Sequence, residues 1–543
     1  MGRMVYISLK FLVACIFGLT LISFANAKPL ELDVSDVIVR DPGSTLPSGW
    51  QRGPFMEIYV RGYQDSDGDG LGDLKGLTQR LDYLKDLGIT GIWLMPIFPS
   101  QDHDHGYAVT DYRNIEQDYG SLADFDTFLH EAHKRGIGVI IDYVLNHSAQ
   151  DHPLFEISSG SKSNLYRDWY VWSDTRPNGW QIYGKTPWYE DQYGFYFAGF
   201  DSQMPEFNFR NPDVLQFHLN NLRFWLNRGV DGFRFDAVGN LVENNALAWE
   251  SQTESHLLMA EVRKVVQGYK NRYMVCEAPG DPLAFSANDS CGSSFAFSHQ
   301  HRVIGSALGN PGGLEQLAGY FHDSAPQLAT FASNHDAFAG QRLWNRTSGD
   351  VASYKLAAAT YLLQPGVPFI YYGEEIGMSG GKGLSGDHKL RTPMSWKSDQ
   401  LTGGFTNDVP FRNLSSNVAT NNVEVQEKNA DSLLGFYRRL IALRQSNEAL
   451  RIGSYEAAST SGWVMSFQRA YGSQRLLVAY NYGSKAVSQV INSALIGYEL
   501  FPLWDDVSFK SKKSYQTDAK GRVTIDMPAK SFQVFEFKKS GKN

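Results

Sequence analysis

Cysteine and positive charge are both scarce in this chain of 543 residues. With only 3 cysteines, it contains no cysteine cluster of the kind that binds zinc or iron–sulfur groups. The 50 Lys and Arg are outnumbered by 58 Asp and Glu, and the net charge of -8 argues against nucleic acid or an anionic membrane as a partner. A hydrophobic content of 42% and a charged content of 20% indicate a soluble globular chain of two or three domains.

An apolar run suited to targeting lies only at the N-terminus. Arg3 and Lys10 precede FLVACIFGLTLISF, and the small-residue triplet A-N-A follows at 25–27. This order predicts a secretory signal peptide over residues 1–27, with Lys28 as the mature start and a secreted or periplasmic location. The run is short for a transmembrane helix, so no stable membrane span is expected. A lipid anchor at Cys15, which ends LVAC, is the second-ranked alternative.

Two cysteines, Cys276 and Cys291, remain after the predicted signal peptide. Export makes a disulfide between them possible. Cys276 could equally be a small buried strand residue, so the sequence leaves the question open.

Three stretches repeat the order of an amphipathic helix, a glycine and an apolar strand. They are LTQRLDYLKDLGITGIWLMPIF, FDTFLHEAHKRGIGVIIDYVLNH and NPDVLQFHLNNLRFWLNRGVDGFRFDAV. The third begins with Asn211 as a helix cap and Pro212 at the first helical position. Strands that are apolar on both faces predict parallel βα units and a closed (β/α)8 TIM barrel. An open doubly wound sheet is the alternative, disfavoured because no glycine-rich phosphate loop follows the first strand.

Changes in sequence character predict the domain boundaries. Residues 28–147 form the first part of the barrel, and a loop-rich aromatic stretch over 148–210 is too long for a plain loop and predicts an inserted subdomain. Residues 211–452 complete the barrel. Short alternating segments over 453–543, such as RLLVAYNYG and SFQVFEFK, predict a C-terminal antiparallel β domain.

Polar residues cluster where the barrel strands should end. The segments IDYVLNH, GFRFDAVGN, VCEAPG and FASNHD contribute Asp142, Asn146, His147, Arg234, Asp236, Glu277, Asn334, His335 and Asp336. The carboxyl ends of parallel barrel strands meet at one mouth, where catalytic groups gather. A single Arg–Asp pair could be structural, but four strand ends carrying such residues predict an active site.

These four segments resemble, in order and spacing, the motif regions of the α-amylase family of retaining glycoside hydrolases. The chain is most similar to the group intermediate between oligo-1,6-glucosidases and neopullulanases. GYAVTDY, MPEFN, PGVPFIYYGEEIGM and RTPMSW extend the resemblance over about residues 50–460. It implies a TIM barrel with a small subdomain inserted after the third strand, followed by a β-sandwich domain.

The resemblance also implies roles for the acidic residues. Asp236 would be the nucleophile, Glu277 the general acid/base and Asp336 a third carboxylate that binds sugar hydroxyls. Retaining cleavage needs one ionised and one protonated carboxyl group. Arg234 would lower the pKa of Asp236 and keep it ionised, while Glu277 needs a raised pKa.

Further residues are implied to bind the sugar. Tyr107 would stack on the ring at the cleavage site, and His147 and His335 would bind its hydroxyls. Chain-end-specific relatives usually carry Asp after the tyrosine, where this chain has Ala108. That difference favours cleavage within a chain over removal of its terminal unit.

The segment DSDGDGLGD predicts a structural calcium site. Alternating carboxylates around a glycine turn are hard oxygen ligands suited to Ca²⁺. An EF-hand is rejected because its twelfth position would be Gly76. By resemblance to the calcium loop of oligo-1,6-glucosidases, the ligands would be Asp65, Asp67, Asp69, Asp73 and the Leu71 carbonyl. The alternative is a solvated acidic turn without a cation.

The sequence therefore predicts a secreted enzyme that cleaves α-1,4-glucosidic bonds of starch or maltooligosaccharides by double displacement. An α-glucosidase or α-glucosyltransferase with the same three carboxylates is the alternative. A non-catalytic sugar-binding relative is less favoured because all three carboxylates are present. The oligomeric state stays open.

Overall fold

A computed structural model of the protein describes residues 32–322, 328–504 and 513–540. The signal peptide predicted for residues 1–27 and the alternative anchor at Cys15 lie outside these residues. Within the described ranges, none of the helices combines the length and apolarity that crossing a bilayer requires.

The strands and helices follow each other in an order typical of a barrel with insertions. The strands are β1 (Phe55–Ile58), β2 (Gly91–Leu94), β3 (Gly138–Val144), β4 (Trp172–Ser173), β5 (Trp188–Asp191), β6 (Gly194–Phe197), β7 (Gly232–Asp236), β8 (Tyr273–Cys276), β9 (Ala329–Thr330), β10 (Val367–Tyr371), β11 (Ser454–Ser461), β12 (Val464–Tyr471), β13 (Gln474–Asn481), β14 (Val487–Asn492), β15 (Tyr498–Pro502), β16 (Tyr515–Gln516), β17 (Arg522–Met527) and β18 (Ser531–Lys539). The α-helices are α1 (Leu74–Gln79), α2 (Leu81–Leu87), α3 (Leu122–Lys134), α4 (Pro153–Gly160), α5 (Pro212–Arg228), α6 (Thr253–Gln267), α7 (Pro282–Phe285), α8 (His299–Ala307), α9 (Leu314–Gly319), α10 (Leu343–Arg346), α11 (Val351–Leu363), α12 (Val423–Glu427), α13 (Leu433–Ser446) and α14 (Glu448–Ile452).

Seven parallel strands form the barrel sheet, in the order β8-β7-β3-β2-β1-β10-β9. The two edge strands are joined by a segment too short to count as a strand. Ser294 makes a parallel bridge to Cys276 at the end of β8, and Phe295 makes one to Ala329 in β9. This segment closes the ring in the eighth position, so the predicted TIM barrel is confirmed.

Helix ends follow the chemistry of their residues. The Asn211 side chain accepts a hydrogen bond from the Asp213 backbone and Pro212 occupies the first turn of α5, as predicted. Gly229 ends that helix with φ 106°, a left-handed conformation that glycine adopts without a steric penalty. The buried face of α5 includes Trp225, whose ring packs against Phe98 of the barrel.

Two antiparallel regions flank the barrel. The strands β4, β6 and β5 form a small sheet within the aromatic stretch 148–210. After α14, the strands β11 to β18 form a six-stranded sheet and a two-stranded sheet that share an apolar core. The expected C-terminal antiparallel β domain is therefore present.

Cys276 and Cys291 are joined by a disulfide. Cys276 is the last residue of β8 and directly precedes Glu277, and Cys291 lies in the loop after α7. The question that the sequence left open is thus answered in favour of the disulfide.

Candidate active site

Arg234 lies at the centre of the candidate site and binds three carboxyl groups. Its Nη1 donates to Asp142 Oδ1 at 2.8 Å and to Asp236 Oδ1 at 2.6 Å. Its Nη2 donates to Glu277 Oε2 at 2.6 Å. Only 1% of the Arg234 side chain is exposed, so water screens these charges little. The structure thus brings four sequence-predicted residues, Asp142, Arg234, Asp236 and Glu277, into one buried cluster.

The strand register produces this arrangement. Asp142 of β3 and Arg234 of β7 are register partners, and Glu277 follows β8 directly. Since alternate side chains of a strand point to one side, Arg234 and Asp236 face the same way, as predicted. After Asp236 the chain turns sharply, because Ala237 takes φ 45°, which is uncommon for a residue other than glycine. The turn places the Ala237 N–H 3.3 Å from Glu277 Oε2.

Burial governs the ionisation of the two predicted catalytic groups. It raises the pKa of Asp236 to about 6 and the pKa of Glu277 to about 7, although the Arg234 charge lowers both. The expectation that Arg234 leaves Asp236 with a lowered pKa is therefore wrong in its net direction. Desolvation of a fully buried carboxyl outweighs the attraction of one cation. The raised pKa of Glu277 agrees with the expectation.

A second arginine, Arg391, binds Asp336. Arg391 Nη2 donates to Asp336 Oδ1 at 2.9 Å, and Arg391 Nε donates to the backbone oxygen of His335 at 3.1 Å. Burial raises the pKa of Asp336 to about 7 against the lowering effect of Arg391, and the charge of Glu277 adds to the rise. The three carboxyl groups predicted from separate segments therefore share one electrostatic environment.

Tyr107 links the two arginine-centred groups. Its hydroxyl donates to Asp142 Oδ2 at 2.9 Å and lies 2.7 Å from His335 Nε2. The rings of Tyr107 and His335 are nearly parallel, with centroids 5.6 Å apart and an interplanar angle of 13°. This places two predicted sugar-binding residues side by side.

His147 reaches the same region from the end of β3. It is 2% exposed, and its Nε2 has no hydrogen-bond partner among the described residues. Burial lowers the pKa of His147 to about 3, so the ring is neutral near pH 7. An unpaired buried nitrogen is costly, and a hydroxyl group of a bound sugar would pair it.

An ion pair that the sequence did not predict borders the cluster. Arg412 Nη2 donates to both oxygens of Asp104 at 2.8 Å and 2.7 Å, and the Tyr59 hydroxyl donates to Asp104 as well. Arg412 Nη1 also donates to the backbone oxygen of Arg391 at 2.8 Å, and Arg391 in turn binds Asp336. Two loops are thus fastened together beside the Asp336 carboxylate.

Sequence reasoning missed four of these groups. Glu57 and Arg391 carried a usable signal, since Glu57 is a charge inside the apolar strand segment FMEIYV and Arg391 opens RTPMSW. Glu57 Oε1 lies 2.6 Å from His335 Nδ1. Asp104 and Arg412 carried none, because their positions in two loops are 308 residues apart.

The predicted calcium loop is only partly assembled. Asp65, Asp67 and Asp73 hold carboxylate oxygens within 4.8 Å of one another, which is a donor set suited to a hard cation. The Asp69 carboxylate is not part of this group and accepts the backbone N–H of Leu71 at 2.8 Å. Three of the four aspartates therefore fit the predicted site.

Known proteins resemble this chain over most of its length. The family model described as "Alpha amylase, catalytic domain" matches residues 57–453. "Alpha-amylase 3" of Dictyoglomus thermophilum is 35% identical, with 79% of this chain and 84% of that protein covered. "Oligo-1,6-glucosidase" of Parageobacillus thermoglucosidasius is 28% identical, with 86% and 93% covered. The solved structure of the alpha-glucosyl transfer enzyme XgtA superposes with a TM-score of 0.77 at 27% identity, with 91% of this chain and 100% of that chain covered.

Proposed function

The chain belongs to the α-amylase family of glycoside hydrolases, and on this basis we propose that it is a retaining α-glucosidase. It removes glucosyl units from the non-reducing ends of short α-glucosides and passes them to water or to an acceptor sugar. This is the alternative from the sequence analysis. It is favoured over cleavage within starch chains by the surroundings of the site.

The chemistry follows from the ionisation of two groups. The Asp236 carboxylate attacks the anomeric carbon, while Glu277 gives its proton to the departing glycosidic oxygen. The resulting glycosyl ester with Asp236 is then attacked by water or a sugar hydroxyl, whose proton passes to Glu277. Asp336 and His147 bind hydroxyls of the same glucosyl unit. Two displacements retain the α configuration of the released sugar.

The observation that carries the proposal is the ion pair between Asp104 and Arg412. Asp104 lies three residues before Tyr107 on the same loop, and Arg412 ties that loop to the chain beside Asp336. A sugar held by Asp336 and Tyr107 would meet this pair at one end. Such a barrier accepts a chain terminus and blocks a continuing chain. Ala108 stands where chain-end-specific relatives carry Asp, and this difference had favoured internal cleavage. In the proposal, the Asp104 carboxylate takes the role of that Asp.

The names of relatives support the same proposal and also favour one competitor. Oligo-1,6-glucosidases, an "Alpha-glucosidase" and a "Trehalose synthase/amylase TreS" match this chain at 28 to 32% identity. Internal cleavage remains the second candidate, because a relative of 35% identity is named "Alpha-amylase 3".

Digestion of maltoheptaose separates the two candidates. We expect glucose and maltohexaose as the first products, with the glucose released as the α-anomer in proton NMR spectra. The variant Arg412→Ala should open the barrier and yield maltose and longer products from the start. Arg475→Ala, which removes a surface pair with Glu456 in the C-terminal domain, is the control. Maltose and maltotriose as first products of the native enzyme would refute the proposed terminal action.

We further propose that Ca²⁺ binds the loop of Asp65, Asp67 and Asp73, with Asp69 and the Leu71 carbonyl completing the ligands. The carboxylate group supports this, because three close negative charges repel one another without a cation. The Thr406 hydroxyl donates a hydrogen bond of 2.5 Å to Asp65 Oδ2, so one oxygen of this proposed ligand already has a partner.

Export to the periplasm or the medium is likewise proposed. The disulfide between Cys276 and Cys291 supports it, since such bonds persist mainly in oxidising compartments.

A further inference from the structure

Glu57 is a buried carboxyl group inside the barrel that the proposed reaction does not use. It lies in β1 and is 2% exposed. Its Oε1 is 2.6 Å from His335 Nδ1 and accepts the backbone N–H of His335 at 3.2 Å. Both contacts are with His335, and the positive charge of Arg234 also favours an ionised Glu57. Burying a carboxyl group costs free energy of folding. Its position beside His335 therefore calls for a functional explanation.

The other nitrogen of His335 faces two oxygens. Nε2 lies 3.1 Å from Asp336 Oδ2 and 2.7 Å from the Tyr107 hydroxyl. The Tyr107 proton is used in the bond to Asp142 Oδ2 at 2.9 Å, so the Tyr107 oxygen is an acceptor toward His335. An ionised Asp336 can only accept. Arg391 favours the ionised form of Asp336. In that form a lone pair on Nε2 would point at two acceptors, so Nε2 carries a hydrogen.

Nδ1 then has two possible states that differ by the position of one proton. Either Glu57 is protonated and donates to Nδ1, or Nδ1 is protonated and donates to a Glu57 carboxylate. Both keep the hydrogen on Nε2. The third state, a neutral ring with hydrogen on Nδ1 alone, is the one that Asp336 disfavours.

We propose that Glu57 is a positioning residue: by sharing a proton with Nδ1 of His335, it keeps the hydrogen on Nε2, which faces the Tyr107 oxygen and Asp336, the carboxylate proposed to bind the glucosyl unit. This rests on the proposed function. Burial raises the pKa of Glu57 and lowers the pKa of His335, which brings the two groups closer in proton affinity. The titratable and charged groups that act on the pair are Asp336, Asp142, Arg234, Arg391 and His105.

The variant Glu57→Gln tests this directly. In this variant the amide oxygen takes the place of Glu57 Oε1, because that atom accepts the backbone N–H of His335. The amide oxygen also accepts a hydrogen from Nδ1 and so stabilises it there. A neutral ring with its hydrogen on Nδ1 has none on Nε2. We expect kcat/KM on maltose to fall about 10- to 100-fold, the value of one charge-assisted hydrogen bond, mainly through kcat. Glu375→Gln is the matched control, since Glu375 is fully buried and bonds Tyr83 away from the site. It should leave kcat/KM unchanged.

A double-mutant cycle separates positioning from a general structural effect. In the background of His335→Asn, Glu57→Gln should cost nothing more, whereas a structural loss would recur in full. Thermal unfolding is measured for every variant. If Glu57→Gln does not fold, Glu57→Asp replaces it, because the shorter acid withdraws from Nδ1.

Each outcome has a distinct meaning. If the native enzyme does not hydrolyse α-glucosides, the proposed function fails. If the native enzyme is active and Glu57→Gln is fully active, or loses the same factor in both backgrounds, the inference about Glu57 is wrong while the proposed function stands.

Discussion

The proposed roles of Asp236 and Glu277 predict how kcat/KM depends on pH. Asp236 must be ionised to attack, so activity is lost as the pH falls through its pKa of about 6. Glu277 must be protonated to donate, so activity is lost as the pH rises through its pKa of about 7. We therefore expect a narrow bell-shaped profile, centred midway between these two values.

The size of the effect can be worked out from these values. Midway between them, about three quarters of each group is in the active form, so about 60% of the enzyme is competent. Near pH 5 or near pH 8, one group is about 90% in the wrong form, which lowers kcat/KM about sixfold from its maximum. Initial rates on maltose, at substrate levels well below KM and constant ionic strength, measure this.

A variant that lacks one limb of the pH profile identifies the group that titrates in that limb. Glu277→Gln should lose most activity on maltose but keep glycosylation by α-glucosyl fluoride, whose leaving group needs no acid. With that substrate the alkaline limb, which reports Glu277, should be absent. If the alkaline limb persisted in Glu277→Gln, or if the native rate kept rising above pH 8, another group would be the acid and the reasoning from burial would be wrong.

The other two predictions concern stability. Removing calcium with EDTA should lower the free energy of unfolding by about 3 kcal/mol if calcium saturates its site about 100-fold. Calorimetry of the native chain checks this, with Asp67→Asn as a control that should not respond to EDTA. An unchanged midpoint of thermal unfolding in the native chain would favour the acidic turn without a cation. Cys291→Ser should cost about 3 kcal/mol, as expected for a disulfide that closes 15 residues, and denaturant titration of the oxidised proteins would contradict this if the two curves coincided.

The barrel could be predicted from the sequence because each unit carries its own local signals. Helical spacing of leucines, the cap at Asn211 and glycines at helix ends are properties of a few neighbouring residues. The eighth position of the ring could not be predicted, since Ser294 and Phe295 contribute only single bridges. Their pairing depends on the strands on either side and leaves no periodic pattern.

The same distinction applies to the site. Asp236 and Glu277 end apolar strands, so the topology alone predicts that they meet. The pair of Asp104 and Arg412 joins two loops, and loop conformation is set by tertiary contacts. The proposal departs from the interpretation of Ala108 for this reason, because the Asp104 carboxylate, four residues earlier, lies in the neighbourhood that was expected to lack one.

The charge balance around Arg234 explains why two similar carboxyl groups can take opposite parts. One guanidinium binds Asp142, Asp236 and Glu277, so full ionisation leaves an excess of buried negative charge. One proton reduces that cost, and the proposed role of general acid assigns it to Glu277, whose pKa burial raises to about 7. Asp142, Asp236 and Arg234 together then keep a net negative charge that a neutral glucoside does not compensate. In the proposed mechanism the sugar becomes positively charged only in the transition state, so the imbalance that disfavours the empty site would lower the barrier to cleavage.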